Sequence, residues 1–152
     1  MPTTRMPPVG LQLTNGFKTT ITFAADSDVS FWEESITPPG IDGGDPLPTT
    51  TQFNNAWNTT DPRSLKTLTD VSVTAAYDPI VYDQIIALVN VSNLITIAFP
   101  DGSSLDFHGF LRSFTPGELV AGTPPTAAIV IAPTAVDIAT GLETAPVYTP
   151  AP

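Results

Sequence analysis

The chain carries one histidine, in Asp106-Phe107-His108-Gly109, and side-chain acid–base chemistry of the serine-triad type would have to start there. A histidine base in a triad needs a carboxylate to orient it. In an extended strand Asp106 and His108 share a face, which meets part of that requirement. No nucleophile-elbow sequence accompanies the pair, and a strand histidine facing solvent or a neighbouring chain accounts for it without chemistry. Glu33 and Glu34 are adjacent carboxylates, yet successive strand side chains leave on opposite faces and make a poor general acid/base pair. Asp26-Ser27-Asp28 and Ile41-Asp42-Gly43-Gly44-Asp45 offer oxygen ligands of the kind calcium takes, but neither runs on to the closing glutamate of a ligand loop. With no cysteine there is no thiolate nucleophile, disulfide framework or thiolate metal site. Phosphate loops, dinucleotide fingerprints and zinc spacings are missing as well. These residues point away from an enzyme, and no catalytic, cofactor-binding or metal-ligating residue is assigned.

The elements that would position them are mostly strands. Phe17, Thr19, Ile21 and Phe23 alternate with Lys18, Thr20 and Thr22, and Val71, Val73, Ala75 and Tyr77 with Ser72, Thr74 and Ala76. Ile95, Ile97 and Phe99 form a third such row, Leu105, Phe107 and Leu111 a fourth, and Ala127, Ile129 and Ile131 a fifth. Period-two patterning rich in Thr, Val, Ile and Phe predicts half-buried strands. Pro100-Asp101-Gly102-Ser103 has the residues of a tight turn joining two of them, and Asn15-Gly16 is a second hairpin candidate. One helix is expected over 79–90: Asp78 is a good N-cap and Pro79 suits the first helical position. Val81, Tyr82, Ile85, Ile86 and Val89 would form its buried stripe, with Asn90 as the stop. The fold class is therefore mainly β, sandwich- or barrel-like, with one flanking α-helix and a long loop.

A chain of 152 residues suffices for one domain, read here as 11–135. Met1 to Gly10 is a proline-containing N-terminal arm without the apolar centre of a secretory signal. Residues 136–152 are rich in Ala, Thr and Pro and read as an extended C-terminal tail. Inside the domain, residues 37–55 contain four prolines and three glycines, followed by Thr49-Thr50-Thr51. A connection that long without a pattern of its own is functional or disordered in most compact domains. No apolar run reaches the length of a membrane span.

Five Lys and Arg face fifteen Asp and Glu, for a formal charge of −10. Tight binding of a nucleic acid draws on clustered basic residues. Here Arg5, Lys18, Arg63, Lys66 and Arg112 are scattered, so the chain should repel a polyanion.

The string Phe31-Trp32-Glu33-Glu34-Ser35-Ile36-Thr37-Pro38-Pro39-Gly40-Ile41-Asp42-Gly43-Gly44-Asp45-Pro46 resembles the major tail tube subunits of long, non-contractile-tailed bacteriophages, the siphophages. The similarity continues through Thr49-Thr50-Thr51, Trp57, Pro62-Arg63-Ser64-Leu65-Lys66-Thr67-Leu68, Ala76-Tyr77-Asp78-Pro79, Tyr82-Asp83, Asp101-Gly102-Ser103 and Pro116-Gly117-Glu118. The resemblance implies hexameric rings stacked around a tape-measure protein, closed by a tail terminator and by baseplate or distal tail proteins, and located in the virion after assembly in the host cytoplasm. DNA would pass through the lumen without specific binding. Under this reading the inter-subunit contacts fall on Trp32, Pro38, Pro39, Gly40, Ile41, Asp42, Gly43, Gly44, Asp45, Pro46, Trp57, Arg63 and Lys66, and Asp70 and Asp106 are candidate lumen-facing acids. Two alternatives remain at this stage: a tube subunit of a phage-derived particle or contractile device, and a β-sandwich binding module on a virion surface.

Overall fold

The computed structural model describes residues 18–26, 31–77 and 79–152. Phe17, the Asn15-Gly16 hairpin, the N-terminal arm and the Asp78 cap lie outside the described residues. The principal strands are β1 (Thr20–Phe23), β2 (Trp32–Thr37), β7 (Val71–Ala76), β8 (Asn93–Ala98), β9 (Ser104–Pro116), β10 (Thr126–Pro133) and β11 (Val147–Thr149). Four two-residue strands, β3 (Ile41–Asp42), β4 (Leu47–Pro48), β5 (Thr60–Asp61) and β6 (Thr67–Leu68), form two small separate ladders.

The main sheet runs β1-β8-β9-β10-β7-β2, and every pairing is antiparallel. The long strand β9 serves both halves, with β8 along Ser104–Gly109 and β10 along Gly109–Pro116. At the handover a Cβ on Gly109 would stand 2.7 Å from the backbone oxygen of Ala132, so only glycine fits. The predicted rows are the core: Ile21, Phe23, Val71, Val73, Ile95, Ile97, Phe107, Leu111, Ile129 and Ile131 are all buried in one cluster. The mainly β, sandwich-like fold read from the alternation is the fold observed. The turn after β8 is also as expected: the Phe99 N–H donates to the Ser103 carbonyl and Gly102 takes φ 91°. Within it the Ser103 hydroxyl and N–H both donate to Asp101, holding that carboxyl below its ordinary range.

The sheet curls until its two edges face each other. The Ile21 N–H on β1 donates to Oε1 of Glu33 on β2 at 3.1 Å, a side-chain bridge where a strand ladder would close a barrel. Sequence reasoning placed Glu33 and Glu34 on opposite faces of a regular strand. The structure instead has an irregularity there, with Glu33 opposite Ala75 and Ser35 opposite Thr74, so Glu34 is an extra residue. This bulge puts Glu33 and Ile36 together on the inner side.

The helix is shorter than expected. A 3-10 turn over Pro79–Val81 leads into α1 (Tyr82–Leu88). Its stripe is corrected: Ile85 and Leu88, the latter not predicted, are buried and Val89 is half-buried, whereas Tyr82 and Ile86 are exposed. A residue one step from Ile85 lies about 100° around the axis, while the third and fourth return to the same face. Asn90 takes the left-handed conformation (φ 61°) expected of a stop, and its N–H donates to the Leu111 carbonyl, tying the helix end to β9. Residues 136–152 fold back rather than trail away: Val136 bridges Glu143, and β11 pairs with the start of β9.

Candidate assembly site

Among the residues that might have carried chemistry, Asp106 accepts a hydrogen bond from the Thr96 hydroxyl at 2.7 Å, across the β8–β9 pair. His108 lies two residues along on the same, outer side of β9. Asp70 is ion-paired with Arg112 at 2.8 Å, both side chains being largely exposed. Arg112 stands in the β9 irregularity between the Ser113 and Leu111 pairings, so the bridge fastens the start of β7 to β9. Asp42 Oδ1 accepts the N–H of Gly44, a local turn contact. Asp28, the second carboxylate of the Asp26-Ser27-Asp28 site, lies outside the described residues.

The long proline-rich loop is built differently from its reading as a patternless connection ending at Asn55. It is a double-stranded arm over 38–70. At its root the Gly40 N–H donates to Thr69 Oγ1 at 2.7 Å, and the Thr69 N–H returns a bond to the Gly40 carbonyl. Next come the β3–β6 and β4–β5 pairs, and proline at 46 and 48 helps keep the β4–β5 ladder short. Between them Arg63 Nε donates to the Asp45 carbonyl at 2.6 Å, packed over Gly44, whose φ of 78° suits glycine.

The tip explains the three threonines. Thr49 and Thr59 share a backbone bond and a hydroxyl–hydroxyl bond, and the Thr59 N–H donates to the Thr50 hydroxyl. Thr51 N–H donates to Asn54 Oδ1, and Asn54 Nδ2 donates to the Trp57 carbonyl. Threonine hydroxyls and an asparagine amide thus replace a ladder that the turn geometry cannot continue.

What the arm lacks is a core. From Gly40 to Thr67 every residue except Asn54 is exposed. Phe53 is 95% and Trp57 83% exposed, and Leu65 and Ile41 are similarly open. Phe53 and Leu65 were not among the sequence candidates. Both lie in polar surroundings where no periodicity marks them.

Alternation of strand direction divides the molecule into two ends. The arm, the 99–103 turn and the 134–146 connection leave from one end. The 24–31 connection, the helix and the 117–125 loop leave from the other. Trp32, at the start of β2, is 72% exposed but belongs to the end opposite the arm, so the structure does not bring it together with Ile41 and Trp57. Trp32 lines one hollow with Lys18, Thr19 and Thr20, and the helix and the 117–125 loop carry further open apolar side chains: Ile80, Ile86, Leu119 and Val120. Leu119, Val120, Ala121, Thr123 and Pro125 line a shallow hollow of about 320 Å³ in the β9–β10 loop.

No family model matches the chain. No curated protein matches it either. Among solved structures it is similar in fold to a chain from the cryo-EM structure of the anti-feeding prophage baseplate, 6-fold symmetrised. That superposition has a TM-score of 0.52 at 8% identity and covers 76% of this chain and 87% of the other.

Proposed function

We propose that the protein is a non-enzymatic structural subunit of a phage tail-type particle, forming stacked hexameric rings of a tail tube. The observation that carries this reading is the arm. It holds its shape through its own hydrogen bonds yet presents Phe53 and Trp57 to water, so its conformation is built in advance of a surface that buries it. Burying each of those side chains against a partner would contribute about 1.5–3 kcal/mol, and a preformed arm loses little entropy on docking. The two-ended layout favours head-to-tail contacts, which stack without limit unless capped. The fold likeness to a chain in a sixfold-symmetrised baseplate is consistent with ring geometry. The strongly acidic composition fits a conduit that passes DNA without holding it.

The test is Phe53→Ser combined with Trp57→Ser. Both residues lie outside the core, so thermal unfolding of the free chain should stay within about 1 °C of wild type, as for surface changes generally. Negative-stain microscopy should show tubes for wild type supplied with an initiating complex and at most isolated rings for the variant. Wild-type tubes from the variant would refute the role of the arm. A second reading, a ring component of a baseplate, is favoured by the baseplate likeness itself. It predicts single closed rings from the wild-type chain under every assembly condition.

A further inference from the structure

We infer that stacking of this chain is gated by dissolved cations: both ends of the subunit are acidic, and copies meet only where salt screens them. The inference rests on the stacking role proposed above and names what controls it.

The charge is concentrated, not spread over the molecule. Strands β1, β7, β8 and β10 carry no Asp, Glu, Lys or Arg, so most of the sheet is electrically quiet. The arm carries Asp42, Asp45, Asp61 and Asp70 against Arg63 and Lys66. At the same end the 99–103 turn and the 134–146 connection add Asp101, Asp137 and Glu143 and no Lys or Arg. At the other end the 24–31 connection, the helix and the 117–125 loop contribute Asp26, Asp83 and Glu118, again with no Lys or Arg among the described residues. Lys18 lines a hollow with Glu33 and Glu34, so that cation has acids of its own copy beside it. Arg112 is likewise paired within the copy, to Asp70.

Whichever ends two copies bring together, acid therefore meets acid, and no orientation lets one end neutralise the other. Apolar contact acts only once surfaces touch, whereas charge repulsion acts before that. Its range is about 30 Å at 0.01 M salt and about 8 Å at physiological ionic strength. At low salt the formal charge of −10 keeps free copies apart and soluble. Screening removes that barrier and leaves the apolar attraction in place. The acids are dispersed, with no three of them converging as metal ligands among the described residues, so the cations act as an atmosphere around both ends.

The test measures the chain concentration at which tubes begin to form on an initiating complex, by sedimentation and negative-stain microscopy. Raising sodium chloride from about 0.01 M to about 0.15 M should lower that concentration at least tenfold. Choline chloride, whose bulky cation screens charge without being held by carboxylate oxygens, should match sodium chloride within twofold. A demand for one particular metal cation in place of choline overturns screening in favour of a bound ion. Asp61→Asn, Glu118→Gln and Glu143→Gln combined remove charge from both ends at exposed positions. That variant should keep the unfolding temperature of the free chain, assemble at least threefold more readily than wild type at the lower salt, and respond less to added salt. A variant with the wild-type salt response, or wild-type tubes that form more readily at low salt, overturns the gate and leaves stacking standing. A wild-type chain that forms no tubes at any salt removes the stacking reading and the gate with it.

Discussion

Glu33 does more at the scale of one residue than its position as one of two adjacent acids suggests. Its carboxylate takes the Ile21 N–H at the point where the sheet edges meet, so a backbone donor that has no strand partner is satisfied by a side chain. Removing the acceptor leaves that partly buried donor to weakly ordered water. Glu33→Ala should therefore destabilise the chain by about 1–3 kcal/mol, read from the urea midpoint at unchanged m-value. Glu33→Gln retains an oxygen acceptor and should recover more than half of that loss. Equal losses for the two variants would mean that the carboxylate acts through its charge and not as a bridge. The role was not legible in the sequence because it depends on the bulge at Glu34, and a bulge changes the face of a side chain without any signature in period-two patterning.

Legibility changes at the scale of elements. The strand rows were readable because β-branched and aromatic residues at every second position have one physical use, a buried face, and Ile95, Ile97, Ile129 and Ile131 all occupy it. The helix was readable as an element but not in its facing, since Ile85-Ile86 gives two adjacent apolar residues and only packing against β9 selects one. Ile85→Ala should cost about 2–5 kcal/mol, whereas Ile86→Ala, at an exposed helical position, should stay within about 0.5 kcal/mol. Reversed magnitudes in denaturant titrations would show that the helix is rotated about its axis relative to the sheet. The arm was legible only as an unusual composition. Its ladders are two residues long, too short for any periodicity, and they are held by pairings between residues distant in sequence, such as Ile41 with Leu68 and Leu47 with Asp61.

At the scale of the whole molecule the chain is built in two tiers: a sheet with one apolar core, and an arm whose hydrogen bonds face water. These tiers should differ in how they open. Amides inside the sheet, such as those of Val73 and Ile129, exchange only when the core itself opens. The Thr49, Asn54 and Thr59 amides are hydrogen-bonded within the arm, but no packed layer covers them, so local opening costs little. Hydrogen exchange of the free chain should accordingly show arm amides at least a hundredfold less protected than those of β7 and β10. Docking against a partner changes that balance, because opening the arm would then require breaking the apolar contact of Phe53 and Trp57. In assembled particles the arm amides should slow by at least tenfold while β7 and β10 hardly change. Protection that rises in the sheet and not in the arm would place the assembly contact on the strand edges, and the two-tier division would then describe folding alone.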